Sequence, residues 1–168
     1  VTPQLQTAIE HTLTQPTNSA YRFARCNRFL GRYLKHGEGY PDWSLRLFDR
    51  RQARWSDDAV HEKVVSQTSV DTLQGDLLHD SAETLAAYLT KQNRYTTLAA
   101  EMALQAGKRA SFGRIAFSPI IRFIKFYLIR QGFRDGPPGL IHIAIGCMNS
   151  FIKYAKMLER QKSDAALR

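Results

Sequence analysis

The stretch HGEGYPDWSLRLFDRRQARWSDDAVHEK, residues 36–63, decides how this sequence is interpreted. It opens with glycines and a Tyr-Pro pair, which are typical of a turn, and continues into Leu45–Phe48, whose composition indicates a strand. A polar turn then leads to a second strand that ends in adjacent His61 and Glu62. Acidic, basic and imidazole groups therefore lie beside turns and strand ends. We interpret this stretch as the chemical centre of the chain and the remainder as its support.

Length and composition indicate one domain-sized globular chain. The 168 residues include 43% hydrophobic residues, which is enough to form a core. Cys26 and Cys147 are far apart and lack the spacing of a metal or redox motif, so free thiols in a reducing, cytoplasmic compartment are the simplest expectation. The chain begins with Val1 and shows no signal-peptide pattern, and we expect it to be a fragment or a processed chain.

Periodicity predicts an α/β fold in which a mixed sheet edge is followed by C-terminal helices. Thr2 and Pro3 are typical of a helix start, and this first helix is expected to end near Thr14. Short strands are predicted around residues 21–34, 45–48, 54–55, 60–65, 70–73 and 76–79. Three further helices are predicted over residues 81–105, 119–131 and 138–160, and Gly107 is the stop signal of the first of these three.

The basic excess of the chain lies in its C-terminal third. Residues 1–107 contain 12 Lys and Arg against 12 Asp and Glu, whereas residues 108–168 contain 12 against 3. The helices of this third have wide apolar faces and a narrow basic stripe, so residues 108–168 are interpreted as a basic amphipathic tail lying in an anionic membrane surface. An ordinary helical pair with a solvated basic edge stays open as an alternative. Nucleic acid is disfavoured because the cations interleave with apolar side chains.

Two residues of the opening stretch are candidates for chemistry. Asp42 lies between Pro41 and Trp43, where an aromatic neighbour would shield a carboxylate and favour its use as a general base. A carboxylate that only caps the turn is the alternative. His61 is a candidate metal ligand or proton acceptor at a strand end, although Glu62 would point to the other face of that strand. Phosphate-loop, dinucleotide-binding, hydrolase and zinc-protease motifs are absent from the sequence.

Taken in order, a set of short motifs resembles family 2 glycosyltransferases, and most of all their branch of lipopolysaccharide core β-1,4-glucosyltransferases. The set covers the chain to about Lys162 and consists of Arg25, Gly31, Tyr40-Pro41-Asp42-Trp43, Leu45-Arg46-Leu47-Phe48, Val60-His61-Glu62-Lys63, Leu77-Leu78-His79 and Lys91-Gln92-Asn93-Arg94-Tyr95.

The resemblance implies an inverting enzyme of GT-A fold that moves a sugar from a nucleotide-diphosphate donor to a glycan or lipid-linked acceptor at the cytoplasmic face of the inner membrane. Relatives hold Mg²⁺ or Mn²⁺ with an Asp-x-Asp motif that ends their N-terminal nucleotide-binding half. This sequence has no Asp-x-Asp, so we expect residues 1–107 to be the acceptor-side half of such a domain, with the divalent cation required only when the missing half is present.

The resemblance also implies roles for individual residues. Asp42 would be the base that deprotonates the acceptor hydroxyl, and His61 would contact the metal or the diphosphate. Arg46 would orient Asp42 or neutralise phosphate. The contacts expected for the acceptor or for phosphate are Trp43, Arg46, Glu62 and Arg94. Lys91 and Tyr95 replace the Gln and Trp of the Gln-x-x-Arg-Trp motif of processive relatives, which argues against processive synthesis. A noncatalytic module that binds membranes or other partners through its basic helices is the competing interpretation.

Overall fold

The computed structural model describes residues 1–56, 63–80 and 84–166. The α/β class, with a mixed sheet followed by C-terminal helices, is confirmed. In chain order the elements are α1 (Pro3–Thr14), β1 (Ala20–Phe29), β2 (Arg32–Tyr33), β3 (Asp42–Phe48), β4 (Ala53–Trp55), β5 (Val64–Ser66), β6 (Val70–His79), α2 (Leu85–Gln105), α3 (Phe112–Phe123), a π-helical segment (Ile124–Ile129), a 3₁₀ helix (Gly132–Asp135) and α4 (Gly136–Ala166).

The chain forms two compact units. The strand unit comprises Val1–Arg28 and Gly39–Asp80, and the helical unit comprises Phe29–Glu38 and Ser81–Arg168. The division of roles between residues 1–107 and 108–168 stays a prediction.

The sheet of the strand unit is built around β1. β3 pairs with β1 antiparallel and β6 pairs with it parallel, so β1 lies between them. Tyr21, Phe23 and Cys26 of β1 are buried, and Cys26 is fully shielded from solvent. Because successive side chains of a strand point to opposite faces, the neighbours of Cys26 on β1 point to the other face of the sheet. A separate antiparallel pair, β4 and β5, completes the described strands of this unit.

Helix α1 packs on β6 through reciprocal hydrogen bonds and a close backbone contact. The Thr2 N–H donates to the Asp76 carbonyl at 3.0 Å, and the Asp76 N–H donates to Thr2 Oγ1 at 3.0 Å. A Cβ added at Gly75 would lie 2.4 Å from the Leu5 nitrogen, and Gly75 has a φ of +102°. Glycine is therefore required where α1 crosses β6. Two short strands were predicted here, which is wrong: β6 continues through Gly75.

In the helical unit, α4 packs against both α2 and α3. Ala100 and Ala103 of α2 meet Met157 of α4 in the buried core of this bundle. The predicted start of α3 at Pro119 is wrong. Ser111 accepts a hydrogen bond from the Arg114 N–H and starts the helix about two turns earlier, with Pro119 inside it. Among the described residues, no helix combines the length and apolar composition needed to cross a bilayer.

A buried aspartate just before α4 binds the backbone of residues 35 and 36 in the same unit. Asp135 is 1% exposed. Its Oδ2 accepts the backbone N–H groups of Lys35 at 2.9 Å and His36 at 2.8 Å, and its Oδ1 lies 3.1 Å from His36 Nδ1. One buried carboxylate thus accepts two backbone N–H groups, those of exposed Lys35 and half-buried His36.

Candidate active site

A polar row crosses three strands of the main sheet, β3, β1 and β6, on the face opposite Cys26. Asp42 begins β3, Arg25 and Asn27 follow each other at a two-residue interval on β1, and His79 ends β6. Arg25 is paired with Asp42 in the antiparallel register, and Asn27 is paired with His79 in the parallel register. The side chains then connect: His79 Nδ1 lies 3.0 Å from Asn27 Oδ1, and Asn27 Nδ2 lies 3.4 Å from Asp42 Oδ2.

The two oxygens of Asp42 have different environments. Arg25 donates to Oδ2 from Nε at 2.8 Å and from Nη2 at 2.6 Å, and Asn27 is a third donor to the same oxygen. Among the described residues, nothing donates to Oδ1. The Asp42 side chain is 37% exposed and that of Arg25 is 35% exposed, so solvent or a substrate can reach the pair. The carboxylate is held by one oxygen and presents the other, which is the geometry that a general base requires.

A second pair holds the turn that precedes Asp42. The Tyr40 hydroxyl donates to Asp76 Oδ1 at 2.7 Å, and Asp76 is 9% exposed. Burial of Tyr40, reinforced by the hydrogen bond to Asp76 and by its charge, raises the pKa of the Tyr40 hydroxyl to about 12. The phenol therefore stays a donor at neutral pH. Since Tyr40 is two residues before Asp42, this contact anchors the segment that leads into β3.

Arg25, rather than Arg46, contacts Asp42. The Arg46 guanidinium instead lies 4.8 Å from the centre of the Trp55 ring. The physical reason is strand geometry, because residues four apart on a strand are separated by roughly 13 Å. The prediction that Arg46 orients Asp42 is therefore wrong. A phosphate contact by Arg46 stays a prediction. Trp43 is 48% exposed, with the Arg22 guanidinium 5.0 Å from its ring centre.

The other predicted site residues lie apart from this row. His61 and Glu62 fall outside the described residues. Arg94 is exposed on α2, in the helical unit. Among the described side chains of residues 1–56, 63–80 and 84–163, no three His, Cys, Asp or Glu come together as a metal site. These residues do not by themselves supply a ligand set for Mg²⁺ or Mn²⁺.

Sequence reasoning missed Asn27 and His79 and assigned no role to Arg25. The alternation of Arg25 and Asn27 around the apolar Cys26 was the available signal, since it places two polar side chains on one face. A cavity of about 510 Å³ lies near the other end of β3 and includes Phe48 and Asp49 in its lining. Its acid, Asp49, is bound by Arg51, so this cavity offers less chemistry than the polar row.

The helical unit carries exposed apolar side chains at helical intervals. On α3 and the π-helical segment they are 44–64% exposed and recur every three or four residues: Phe117, Ile120, Ile121, Ile124 and Leu128. On α4, Leu140, Met148 and Phe151 are 41–49% exposed. Runs of this kind mark a surface that is apolar beyond the scattered exposure of ordinary proteins. We call these eight residues the apolar row.

Three cations surround one aromatic ring beside the apolar row. The charged groups of Arg122, Lys125 and Arg130 lie 5.5, 5.2 and 5.9 Å from the centre of the Phe126 ring. Glu38 forms an ion pair with Arg122. The ring is thus the centre of a positively charged cluster that contains more cations than acids.

Comparison with known proteins gives the class of the relatives. The chain is 32% identical over 119 residues to the lipopolysaccharide core biosynthesis glycosyltransferase LpsC of Rhizobium meliloti, which covers 70% of this chain and 44% of LpsC. It is 27% identical over 124 residues to an uncharacterized glycosyltransferase of Rickettsia typhi, covering 68% of this chain and 42% of that protein. An uncharacterized glycosyltransferase of Rickettsia prowazekii is 27% identical over 169 residues, covering 92% of this chain and 57% of that protein.

The chain spans about half the length of the curated relatives it matches. No family model matches it, and no solved structure matches it at a significant level. The consistent feature of the matches is their enzyme class, which agrees with the resemblance found in the ordered motifs. The homologues of this chain are therefore glycosyltransferases.

Proposed function

We propose that this chain is the acceptor-side portion of an inverting glycosyltransferase of GT-A type and family 2, with Asp42 as the general base. The observation that carries the proposal is the Asp42 carboxylate, whose Oδ2 is held by Arg25 while Oδ1 accepts no hydrogen bond from a described residue. The donor is a nucleotide-diphosphate sugar, and the acceptor is a glycan or lipid-linked saccharide of the kind found in the lipopolysaccharide core.

The reaction needs one proton transfer and one substitution at carbon. The acceptor hydroxyl gives its proton to Asp42 Oδ1 as its oxygen bonds to the anomeric carbon of the donor. The bond from that carbon to the diphosphate breaks on the opposite face, which inverts the configuration. Arg25 keeps Oδ2 in place throughout, so that the base does not rotate away. The exposed Trp43 ring is suited to pack against the acceptor sugar.

The divalent cation of this enzyme class would be held by residues outside those described, together with His61. It would neutralise the leaving diphosphate. Glu62, Arg46 and Arg94 are the further contacts proposed for the acceptor or for phosphate.

Asp42→Asn in the full-length protein tests the base. The substitution keeps the shape of the side chain and removes its ability to accept the proton, so kcat should fall by about 10²-fold or more. Donor binding, measured by calorimetry, should stay within about twofold of the wild-type value. The matched control is Asp71→Asn on β6, an exposed aspartate whose contact is a 3.5 Å hydrogen bond from Thr17. Turnover by Asp42→Asn equal to that of the control would remove Asp42 as base.

We also propose that the helical unit binds an anionic surface at the cytoplasmic face of the inner membrane. Two observations favour it: the apolar row and the cation cluster around Phe126. Apolar side chains flanked by cations are what a helix lying in a bilayer interface presents. If the chain has no catalytic role, this surface alone would be its function.

Vesicle sedimentation tests the membrane proposal. Wild-type protein should sediment with vesicles that contain about a third anionic phospholipid and much less with neutral vesicles. Ile121→Asp should weaken sedimentation, because it places a charge in the apolar row. Leu13→Asp on α1 is the matched control, since Leu13 is 65% exposed and Ile121 is 64% exposed. Equal effects of the two substitutions would contradict the proposal. Strong sedimentation without sugar transfer by the full-length protein would favour the noncatalytic module.

A further inference from the structure

A cavity of about 380 Å³ lies between α2, α3 and α4, entirely within the helical unit. This volume is within the usual range for small-molecule sites. Gln92 and Tyr95 line it from α2, Ser118 and Arg122 from α3, and Asn149 and Lys153 from α4. Helical geometry places Arg94 about 200° around α2 from Gln92, on the side away from the cavity.

One cation of the cavity has no counter-charge among the residues that the structure describes. Lys153 is partly buried, and its ammonium lies 5.1 Å from the centre of the Tyr154 ring. No described residue forms a hydrogen bond or an ion pair with this ammonium. Arg122, in contrast, is paired with Glu38 and donates to Ser150 Oγ at 3.2 Å. An ammonium that lines a cavity without an acid is available to pair with an anionic ligand.

The ion pair between Arg122 and Glu38 lies close to the backbone of α4. A Cβ added at Gly146 of α4 would lie 2.3 Å from Glu38 Oε2 and 3.1 Å from Arg122 Nε. A side chain at this position would require the end of the Glu38 side chain to shift. Glu38 is paired with Arg122, and no described acid is paired with Lys153.

The neutral groups of the cavity provide hydrogen-bonding capacity in both directions. Asn149 Nδ2 donates to Gln92 Oε1 at 2.8 Å, which leaves Asn149 Oδ1 as an acceptor and Gln92 Nε2 as a donor. Within the described part of the chain, the hydroxyls of Ser118 and Tyr95 have no hydrogen-bond partner. Paired amides, hydroxyls and an aromatic ring are the groups that bind the hydroxyls and the ring face of a sugar.

We infer that this cavity binds a phosphorylated sugar, with the phosphate on Lys153 and the sugar hydroxyls on Asn149 and Gln92. A free phosphate would satisfy Lys153 and leave the amides and hydroxyls unused, whereas a neutral sugar would leave the ammonium without a counter-charge. The site does not include Asp42, so it is tested by measuring ligand binding and does not depend on sugar transfer.

Isothermal titration calorimetry with three probes tests the inference: glucose 6-phosphate, glucose and inorganic phosphate. Glucose 6-phosphate should bind saturably and at least about tenfold more tightly than either other probe, because one hydrogen bond to a charged group accounts for about that factor. Inorganic phosphate that binds as tightly as the sugar phosphate would overturn the assignment of a sugar site. Absence of saturable binding of glucose 6-phosphate at about 10 mM would overturn the site itself.

Two variants locate the binding. Lys153→Gln should weaken glucose 6-phosphate at least about tenfold, whereas Lys162→Gln, an exposed lysine on the same helix, should leave its affinity unchanged. Asn149→Asp has the same shape, and the Gln92 amide can rotate to donate to it, so the bundle should keep its fold. The new carboxylate should repel the phosphate and weaken glucose 6-phosphate while sparing glucose. Wild-type affinity in both cavity variants would refute the inference.

Discussion

Replacement of Asp135 by alanine is the sharpest test of how the helical unit is held together. The substitution removes the acceptor of two backbone N–H groups, those of Lys35 and His36, in a place where Asp135 itself is 1% exposed. Each hydrogen bond to a charged group contributes about 1.5–3 kcal/mol. The sum of the two gives an expected loss of about 3–6 kcal/mol in the free energy of unfolding, a large part of the stability of a typical domain.

Urea denaturation followed by circular dichroism at 222 nm is the appropriate assay. The two longest helices, α2 and α4, belong to the helical unit, whereas Trp43 and Trp55 belong to the strand unit. The helical signal should therefore report the Asp135→Ala loss directly, and tryptophan fluorescence gives a second transition for comparison.

Asp135→Asn is the control that isolates the hydrogen bonds from the change in side-chain volume. Its carbonyl oxygen can replace Oδ2 as acceptor for both backbone donors, and its amide can donate to His36 Nδ1. We expect it to cost less than half of the alanine variant. The reasoning is refuted if Asp135→Ala costs under about 1 kcal/mol, or if the two variants cost the same.

Two further predictions concern the strand unit. The raised pKa of Tyr40 means that its neutral form stabilises the fold below pH 10 and that this contribution is lost as the pH rises from about 10 to about 12. Tyr40→Phe should therefore flatten this part of the stability profile, measured by urea midpoints from tryptophan fluorescence; an unchanged slope would contradict the role of the Asp76 contact. In the full-length protein, Arg25→Gln should lower kcat about tenfold or more with little change in donor affinity, whereas Arg46→Gln, which removes a proposed acceptor or phosphate contact, should act on KM more than on kcat. A larger loss of kcat in Arg46→Gln than in Arg25→Gln, measured by steady-state kinetics, would show that Arg46 positions Asp42.

The elements that the sequence predicted well are those with local signals. Thr2 and Pro3 start α1, and Gly107, with a φ of +72°, follows the end of α2 at Gln105. Caps and helix stops depend on a few neighbouring residues, so they can be recognised without knowledge of the fold. Pro119 misled the same reasoning, because proline is common at helix starts but is also tolerated inside a helix whose other contacts compensate.

The partners of Asp42 could not be predicted because they depend on register. Arg25 meets Asp42 across an antiparallel pair, and Asn27 meets His79 across a parallel pair with a bulge near Gly75. A shift of one residue in either pairing would move these side chains to the other face of the sheet. The turn before Asp42 could be recognised from its composition, whereas the arginine that holds the carboxylate could be identified only after the strands were paired.

Several of the basic residues in the C-terminal third make contacts within the protein, so the basic excess is weaker evidence for an anionic partner than its size suggests. Arg122 is neutralised by Glu38, and Arg160 by Glu101. Lys156 is bound by neutral oxygens of α2, including the Asn93 side chain at 2.7 Å. These cations stabilise the helical unit and contribute little to a field at its surface. Net charge therefore overstates the attraction of this region for a polyanion, and the apolar row beside Lys125 is the feature that favours a bilayer over a nucleic acid.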